Sequence, residues 1–272
     1  MFDPETQKWT TYITLDDDHA TSDHGSVVRD GKIYVFGGWK GDYSGPKETT
    51  FSIDTRNNGK IEDLTPMITK RGDIAAVHYK HGSIDAAFVI GGFGDEFCAP
   101  LDTVERYNFD SDSWTESTSD DLDLGSARGD KVAAVVDKKI FVVGGEDKHE
   151  DLCLEVNNLE PSVAAQAVDS VEVLDPLEKS PKWKNEADFP VERFRAASAL
   201  DEKSNKLYVF GGQKAYSNDC DCYKTADEIY VHEGEQRGGG LSTTATALIA
   251  TASVLAVVGS ALFFFRRRNQ KE

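Results

Sequence analysis

Four times along the chain, a run rich in β-branched and aromatic residues ends in two glycines. The runs are KIYVFGG at 32–38, AAFVIGG at 86–92, KIFVVGG at 139–145 and KLYVFGG at 206–212. Their first glycines, Gly37, Gly91, Gly144 and Gly211, stand 54, 53 and 67 residues apart. A strand-rich unit repeated at this period makes one small sheet, and no such sheet can bury both faces alone. The chain is therefore restricted to like sheets packed side by side.

Aligned on the glycines, the units share further parts. A polar turn opens a small or apolar stretch at 23–28, 71–77, 128–136 and 193–200. After the glycines and a variable loop comes a third strand: FSID at 51–54, VERYNFD at 104–110, VEVLDP at 171–176 and DEIYV at 227–231. A Trp-led fourth strand follows in two units, Trp114 seven residues after Tyr107 and Trp183 nine after Leu174. In the first unit IEDL at 61–64 stands where the Trp would be. Four strands per unit in radial repetition predict an all-β propeller.

The diglycine pairs (Gly37-Gly38, Gly91-Gly92, Gly144-Gly145, Gly211-Gly212) and the Tyr-to-Trp spacing resemble the kelch repeat, over residues 1–233. The glycines permit positive φ and close approach of the next strand. Trp9, Trp114, Trp183 and Tyr107 are the expected packing aromatics between blades. Phe2-Asp3-Pro4 with Trp9 seven residues after Phe2 reads as the third-to-fourth-strand junction of a unit without its first half. The last unit has a third strand and no Trp-led fourth one before residue 245. Kelch-like rings are commonly closed by one blade built from both ends, so residues 8–15 (KWTTYITL) are expected to supply that strand. Either four blades close a small ring, or they belong to a larger one whose further blades and signal precede Met1. The blade count usual in the family and the leftover 1–4 favour the second.

Residues 245–265 carry no charge, and ten of these 21 residues are Leu, Ile, Val or Phe. As a helix they measure about 31 Å, enough to cross a bilayer. Arg266, Arg267 and Arg268 follow directly, which predicts a cytoplasmic tail at 266–272, a Gly-rich linker at 234–244 and a propeller outside the cell or in a lumen. Residues 1–15 have no basic and apolar leader of the secretory kind. The formal charge is −18, and without the tail 26 basic residues face 47 acidic ones, or −21. Such a surface repels nucleic acid and anionic headgroups.

The cysteines, Cys98, Cys153, Cys220 and Cys222, all fall in loops after a glycine pair. Adjacent loops share a rim, so Cys98–Cys153 and a bridge from Cys153 to Cys220 or Cys222 are both open in an oxidising compartment. Arg-Gly-Asp occurs at 71–73 and 128–130, at one repeat position, and reads as repeat chemistry in place of an adhesion ligand. Acidic clusters at 16–18 and 120–123 do not match a calcium loop. Of six histidines only His78 and His81 stand close enough in sequence to pair. No catalytic motif is present, and no cofactor or metal is expected. The expectation is a single-pass membrane-anchored module that binds a protein or glycan through blade loops 39–48, 93–103, 146–170 and 213–226. A kelch-type oxidase or sugar-processing fragment with its catalytic residues in other blades is the alternative, and a tail-anchored cytosolic scaffold the third reading.

Overall fold

The computed structural model describes residues 2–42, 44–95, 99–116, 122–147, 166–217, 219–220 and 222–234. Every element in them is a β-strand. A short hairpin comes first, β1 (Phe2–Asp3) with β2 (Lys8–Trp9). Blade 1 is β3 (Gly25–Arg29), β4 (Lys32–Phe36), β5 (Thr50–Asp54) and β6 (Lys60–Leu64). Blade 2 is β7 (Ala75–His81), β8 (Ile84–Ile90), β9 (Val104–Asn108) and β10 (Ser113–Glu116). Blade 3 begins with β11 (Val132–Val136) and β12 (Lys139–Val143). It continues through a rim hairpin, β13 (Glu146–Asp147) and β14 (Gln166–Ala167), to β15 (Val171–Leu174) and β16 (Lys184–Asn185). Blade 4 has β17 (Ala197–Asp201) and β18 (Lys206–Phe210), then a rim hairpin of β19 (Gln213–Ser217) and β20 (Cys222–Thr225), and last β21 (Ile229–Glu233).

Blades 1 to 3 are four-stranded antiparallel meanders in chain order, and blade 4 has three strands. The inner hairpins of blades 1 to 3 close on two-residue turns such as Asp30-Gly31, with φ of 49° and 73°, the primed geometry that suits the twist of the strands, and that of blade 4 on the four residues 202–205. Alternation along each strand gives every sheet two apolar faces, and these meet in three clusters. Val27, Tyr34 and Phe36 of blade 1 meet Ala87, Val89 and Tyr107 of blade 2. Val77, Phe88 and Ile90 meet Ile140, Val142 and Leu174 at the next boundary. Val132, Phe141 and Val143 meet Leu207 and Val209 at the third. Innermost strands β3, β7, β11 and β17 touch consecutively, with no comparable contact from β17 back to β3.

The glycine pairs explain how closely the blades approach. Gly91 sits at φ 54°, and a Cβ there would lie 2.6 Å from the Arg128 carbonyl of the next blade. The following amide, Gly92 N–H, donates to that same carbonyl at 3.0 Å. Gly38 to Arg71 (2.9 Å) and Gly145 to Arg193 (2.7 Å) repeat the bond at the other two boundaries. At Gly211 a Cβ would meet nothing within 4 Å. Phe210 is 38% exposed where its counterpart Phe36 is wholly buried, and Ile229 is 52% exposed. Among the described residues, the forward face of blade 4 is open.

Two expectations are corrected. Residues 8–15 do not complete blade 4, because β2 pairs with β1, Trp9 opposite Phe2, and among the described residues β21 is the outermost strand of its sheet. Trp9 consequently packs between no blades: it is 78% exposed and its ring meets only that of Phe2, at 5.1 Å. The register Phe2↔Trp9 copies Tyr107↔Trp114, so the local hairpin is as read and its docking is not. Among the described residues no helix is long and apolar enough to cross a membrane. The candidate span 245–265 and the tail 266–272 lie outside them, as does the linker beyond Gly234.

Candidate functional site

In each unit the inner strand begins where the second strand ends, so the residues before one and after the other meet on a common rim. Bridges Ser22↔Trp39, Gly72↔Phe93, Gly129↔Glu146 and Phe194↔Gln213 pair these residues within each blade along that rim. Between them runs a backbone relay. Asp73 N–H donates to the Asp23 carbonyl at 2.9 Å, Asp130 to Asp73 at 3.0 Å and Arg195 to Asp130 at 2.9 Å. All four residues are left-handed, with φ of 50–53°. Asp tolerates this conformation better than most side chains.

The relay accounts for both Arg-Gly-Asp triplets. Arg71 and Arg128 are wholly buried, so neither can serve as an adhesion ligand. Arg71 reaches the Glu105 carboxylate at 2.7 Å and the Gly91 and Thr103 carbonyls, tying the inner strand to the third strand of its blade. Glu105 also accepts from Ile68 and Thr69 N–H, both at 2.9 Å, which holds the segment entering the blade. Arg128 makes the same clasp with Glu172 at 2.6 Å. The triplet glycines make room for the preceding blade: a Cβ on Gly72 or Gly129 would strike the ring of Trp39 or Phe93. The third residue, Asp, continues the relay. In blade 4 the triplet is Arg193-Phe194-Arg195, and the preceding blade offers Glu146 in place of a ring.

The rim is thus uneven. On the first two blades Trp39 and Phe93 are buried, and Trp39 Nε1 donates to the Asp73 carboxylate at 2.8 Å. At that place blade 3 carries the ionisable Glu146 and blade 4 the neutral Gln213, and the carboxylates of Asp73 and Asp130 lie along the same rim. Burial, then the neighbouring Asp130, push the Asp73 carboxyl up to about 6. Burial again, with Asp130 beside it, pushes Glu146 up to about 8. Arg195 offsets part of this charge through a 2.8 Å bond to Asp130. Beneath them Lys131 is buried, and its amine is held well below the usual lysine range, first by burial and then by Arg71. The rim can attract a basic group and exchange protons near neutral pH. It offers no nucleophile–base pair. Among the described residues no group of three His, Cys, Asp or Glu is placed to hold a metal ion.

The other singled-out residues fall as follows. Trp114 Nε1 donates to the Thr65 carbonyl at 2.8 Å, with its ring edge-on to Phe36, and Trp183 donates to the Leu122 carbonyl at 2.8 Å. Both indoles thus reach the segment that enters their own blade. Tyr107 is buried and donates to Asp112 at 2.7 Å. His78 is bonded to Asp85 at 2.8 Å while the His81 ring stacks on Tyr79, so the two form no ligand pair. Cys220 and Cys222 are bridged to each other, Cα to Cα 5.2 Å, and not to a neighbouring blade. Cys98, Cys153 and most of loop 146–170 lie outside the described residues. The rim residues Trp39, Phe93, Glu146 and Gln213 escaped sequence reading. The one available signal was their shared place directly after each glycine pair.

The description "Kelch motif" matches residues 20–58 and 86–119. Over 154 residues the chain is 30% identical to Kelch repeat and BTB domain-containing protein 12 of Homo sapiens, covering 51% of this chain and 24% of that protein. It is 28% identical over 127 residues to Kelch repeat-containing protein kel-10 of Caenorhabditis elegans, 46% of this chain and 20% of the relative. The chain thus spans about a quarter or less of the curated relatives it matches. A solved structure, "Structure of YjhT", superposes with a TM-score of 0.60 at 15% identity, over 79% of this chain and 63% of the other. Two segments, in the first two units, thus match the kelch motif, and the four blades together form an all-β propeller arrangement.

Proposed function

We propose that the chain is a membrane-anchored kelch interaction module that recognises a basic protein surface through the axial rim and the loops around it. The carboxylates of Asp23, Asp73 and Asp130, joined along the rim by their backbone relay, carry the reading, in a chain of net charge −18. A glycan is the weaker candidate. Sugars stack on open aromatic faces, and the rim rings, Trp39 and Phe93, are 4% and 5% exposed and turned onto Gly72 and Gly129. An enzyme with its catalytic groups in other blades is the second class. Residues 245–265 anchor the module, with Arg266–Arg268 on the cytoplasmic side. The open forward face of blade 4 supports the larger of the two ring sizes.

Two measurements test this. Affinity capture at low and high salt should yield basic partners that are lost as salt rises, and Asp23→Asn should slow their association. A partner set indifferent to both overturns the rim assignment. In sealed microsomes the propeller should resist added protease until detergent is present; digestion without detergent reverses the topology.

A further inference from the structure

The hairpin that rises from the rim of blade 4 carries the sequence SNDCDCYKT at 217–225. Its strands, β19 and β20, pair through Gln213↔Thr225, Tyr216↔Tyr223 and Ser217↔Cys222. Below the tip the rings of Tyr216 and Tyr223 meet at 5.3 Å, and Tyr223 meets Phe194 at 5.2 Å. Ladder and rings therefore hold the hairpin by themselves. The Cys220–Cys222 bridge adds little to them, because a disulfide stabilises in proportion to the loop it closes and this one joins residues only 2 apart. Both cysteines are exposed, where a thiolate from another molecule reaches them. A bridge that braces little and is open to attack belongs with the disulfides that exchange.

The two sulfurs are unequal. Cys220 Sγ lies 3.7 Å from the carbonyl oxygens of Ser217 and of Cys222. A bridged sulfur has no proton to donate, so those oxygens oppose negative charge building on Cys220. Cys222 lies on β20, where strand alternation puts Lys224, also exposed, on the same face. That ammonium favours a thiolate on Cys222. Cys222 is thus the sulfur that leaves and Cys220 the sulfur that is attacked. Asp219 and Asp221 flank Cys220 in the sequence and repel an anionic approach, so the incoming thiolate is one carried among cationic residues.

We propose that the Cys220–Cys222 bridge is a thiol–disulfide exchange site that oxidises a reduced cysteine pair in a partner polypeptide, where lysine or arginine flanks that pair. This goes beyond the rim reading and does not depend on it. One partner thiol loses its proton and attacks Cys220 Sγ. The S–S bond breaks, and Cys222 leaves as a thiolate that takes up a proton. The partner's second thiol then attacks the mixed disulfide, and Cys220 leaves in turn. The pair on this chain gains two electrons and two protons; the partner has lost both and carries a disulfide of its own.

The test mixes the oxidised full-length chain, in detergent and without oxygen or free metal, with a reduced synthetic peptide that holds a cysteine pair between lysines. Alkylation and mass mapping should show the peptide disulfide rising in step with new thiols at Cys220 and Cys222. A bridge that stays closed, or thiols that appear only at other cysteines, overturns the site. A peptide with a single cysteine, quenched by alkylation, should be caught on Cys220; capture on Cys222 overturns the assignment of the two sulfurs. Glutamate in place of the peptide's lysines should slow the reaction about tenfold at low salt, and Lys224→Gln in the chain should slow it about threefold. Equal rates for the two peptides overturn the basic partner, and equal rates for the two chains overturn the role of Lys224. Chains mapped as reduced at this pair alone should keep their urea midpoint. Unfolding on that reduction would make the bridge a structural staple and overturn the proposal.

Discussion

Blades 3 and 4 are nearly the same in sequence where it counts, KIFVVGG against KLYVFGG, and differ in what presses on them. Blade 3 lies between two neighbours. Its Arg128 is buried against a carboxylate, Glu172, that is itself 2% exposed. In blade 4 the ladder puts Tyr230 opposite Val209, where Glu172 lies opposite Val142 and Glu105 opposite Val89. The acid lies two residues back, at Glu228, which is 40% exposed, and Arg193 packs its guanidinium over the Tyr230 ring at 5.1 Å. The same strand–turn–strand sequence thus makes a locked sheet or a loosely held one. Neighbours decide which.

The largest effect should come from removing the clasp. Arg128→Ala strands a buried carboxylate and frees three carbonyls, at a cost of about 3–5 kcal/mol, whereas Arg193→Ala leaves a partner that water can reach and should cost about 1–2 kcal/mol. Equal urea midpoint shifts for the two would break the comparison. Next, Gly91→Ala and Gly211→Ala impose the same left-handed penalty of about 1–2 kcal/mol. Only Gly91 adds a collision with a backbone carbonyl of the next blade, so it should lose at least about 2 kcal/mol more. If Gly211→Ala proves as damaging, something occupies the face of blade 4.

The smallest effect concerns pH. Blade 3 carries Glu146 where blade 4 carries Gln213. Because folding raises the Glu146 pKa from 4.5 to about 8, its stabilising share is complete below about pH 4.5 and fades as pH climbs to about 8. Glu146→Gln removes that slope and should be more stable than the parent at pH 9 by about 1–2 kcal/mol. Asp73, raised to about 6, keeps a shallower decline between pH 4 and 6 in both proteins. Identical pH–stability curves for parent and variant would mean that Glu146 is ionised without penalty.

What could be read ahead of the structure follows from which constraints are local. The glycine pairs were legible because crowding by the next blade is solved the same way each time, by deleting a side chain. Trp114 and Trp183 were legible because a fixed distance from the third strand places the indole. Trp9 obeys the same spacing and even the same register, yet it lies in solvent, because spacing encodes a hairpin and carries no information about whether a neighbour exists. The rim stayed hidden for the opposite reason. Its residues are Trp39, Phe93, Glu146 and Gln213, four chemistries at one position, and only the fold brings them around one axis. The shift of the acid to Glu228 was equally invisible, since DEIYV resembles VERYN until the ladder is counted.

The nesting of Trp39 over Gly72 and of Phe93 over Gly129 links positions that belong to different units. A gene rearrangement that duplicated, deleted or exchanged a single unit would part each large residue from the gap that admits it. Such arrays can therefore lengthen only when the boundary travels whole, the tail of one repeat together with the head of the next. The heritable module in this molecule is the seam between blades.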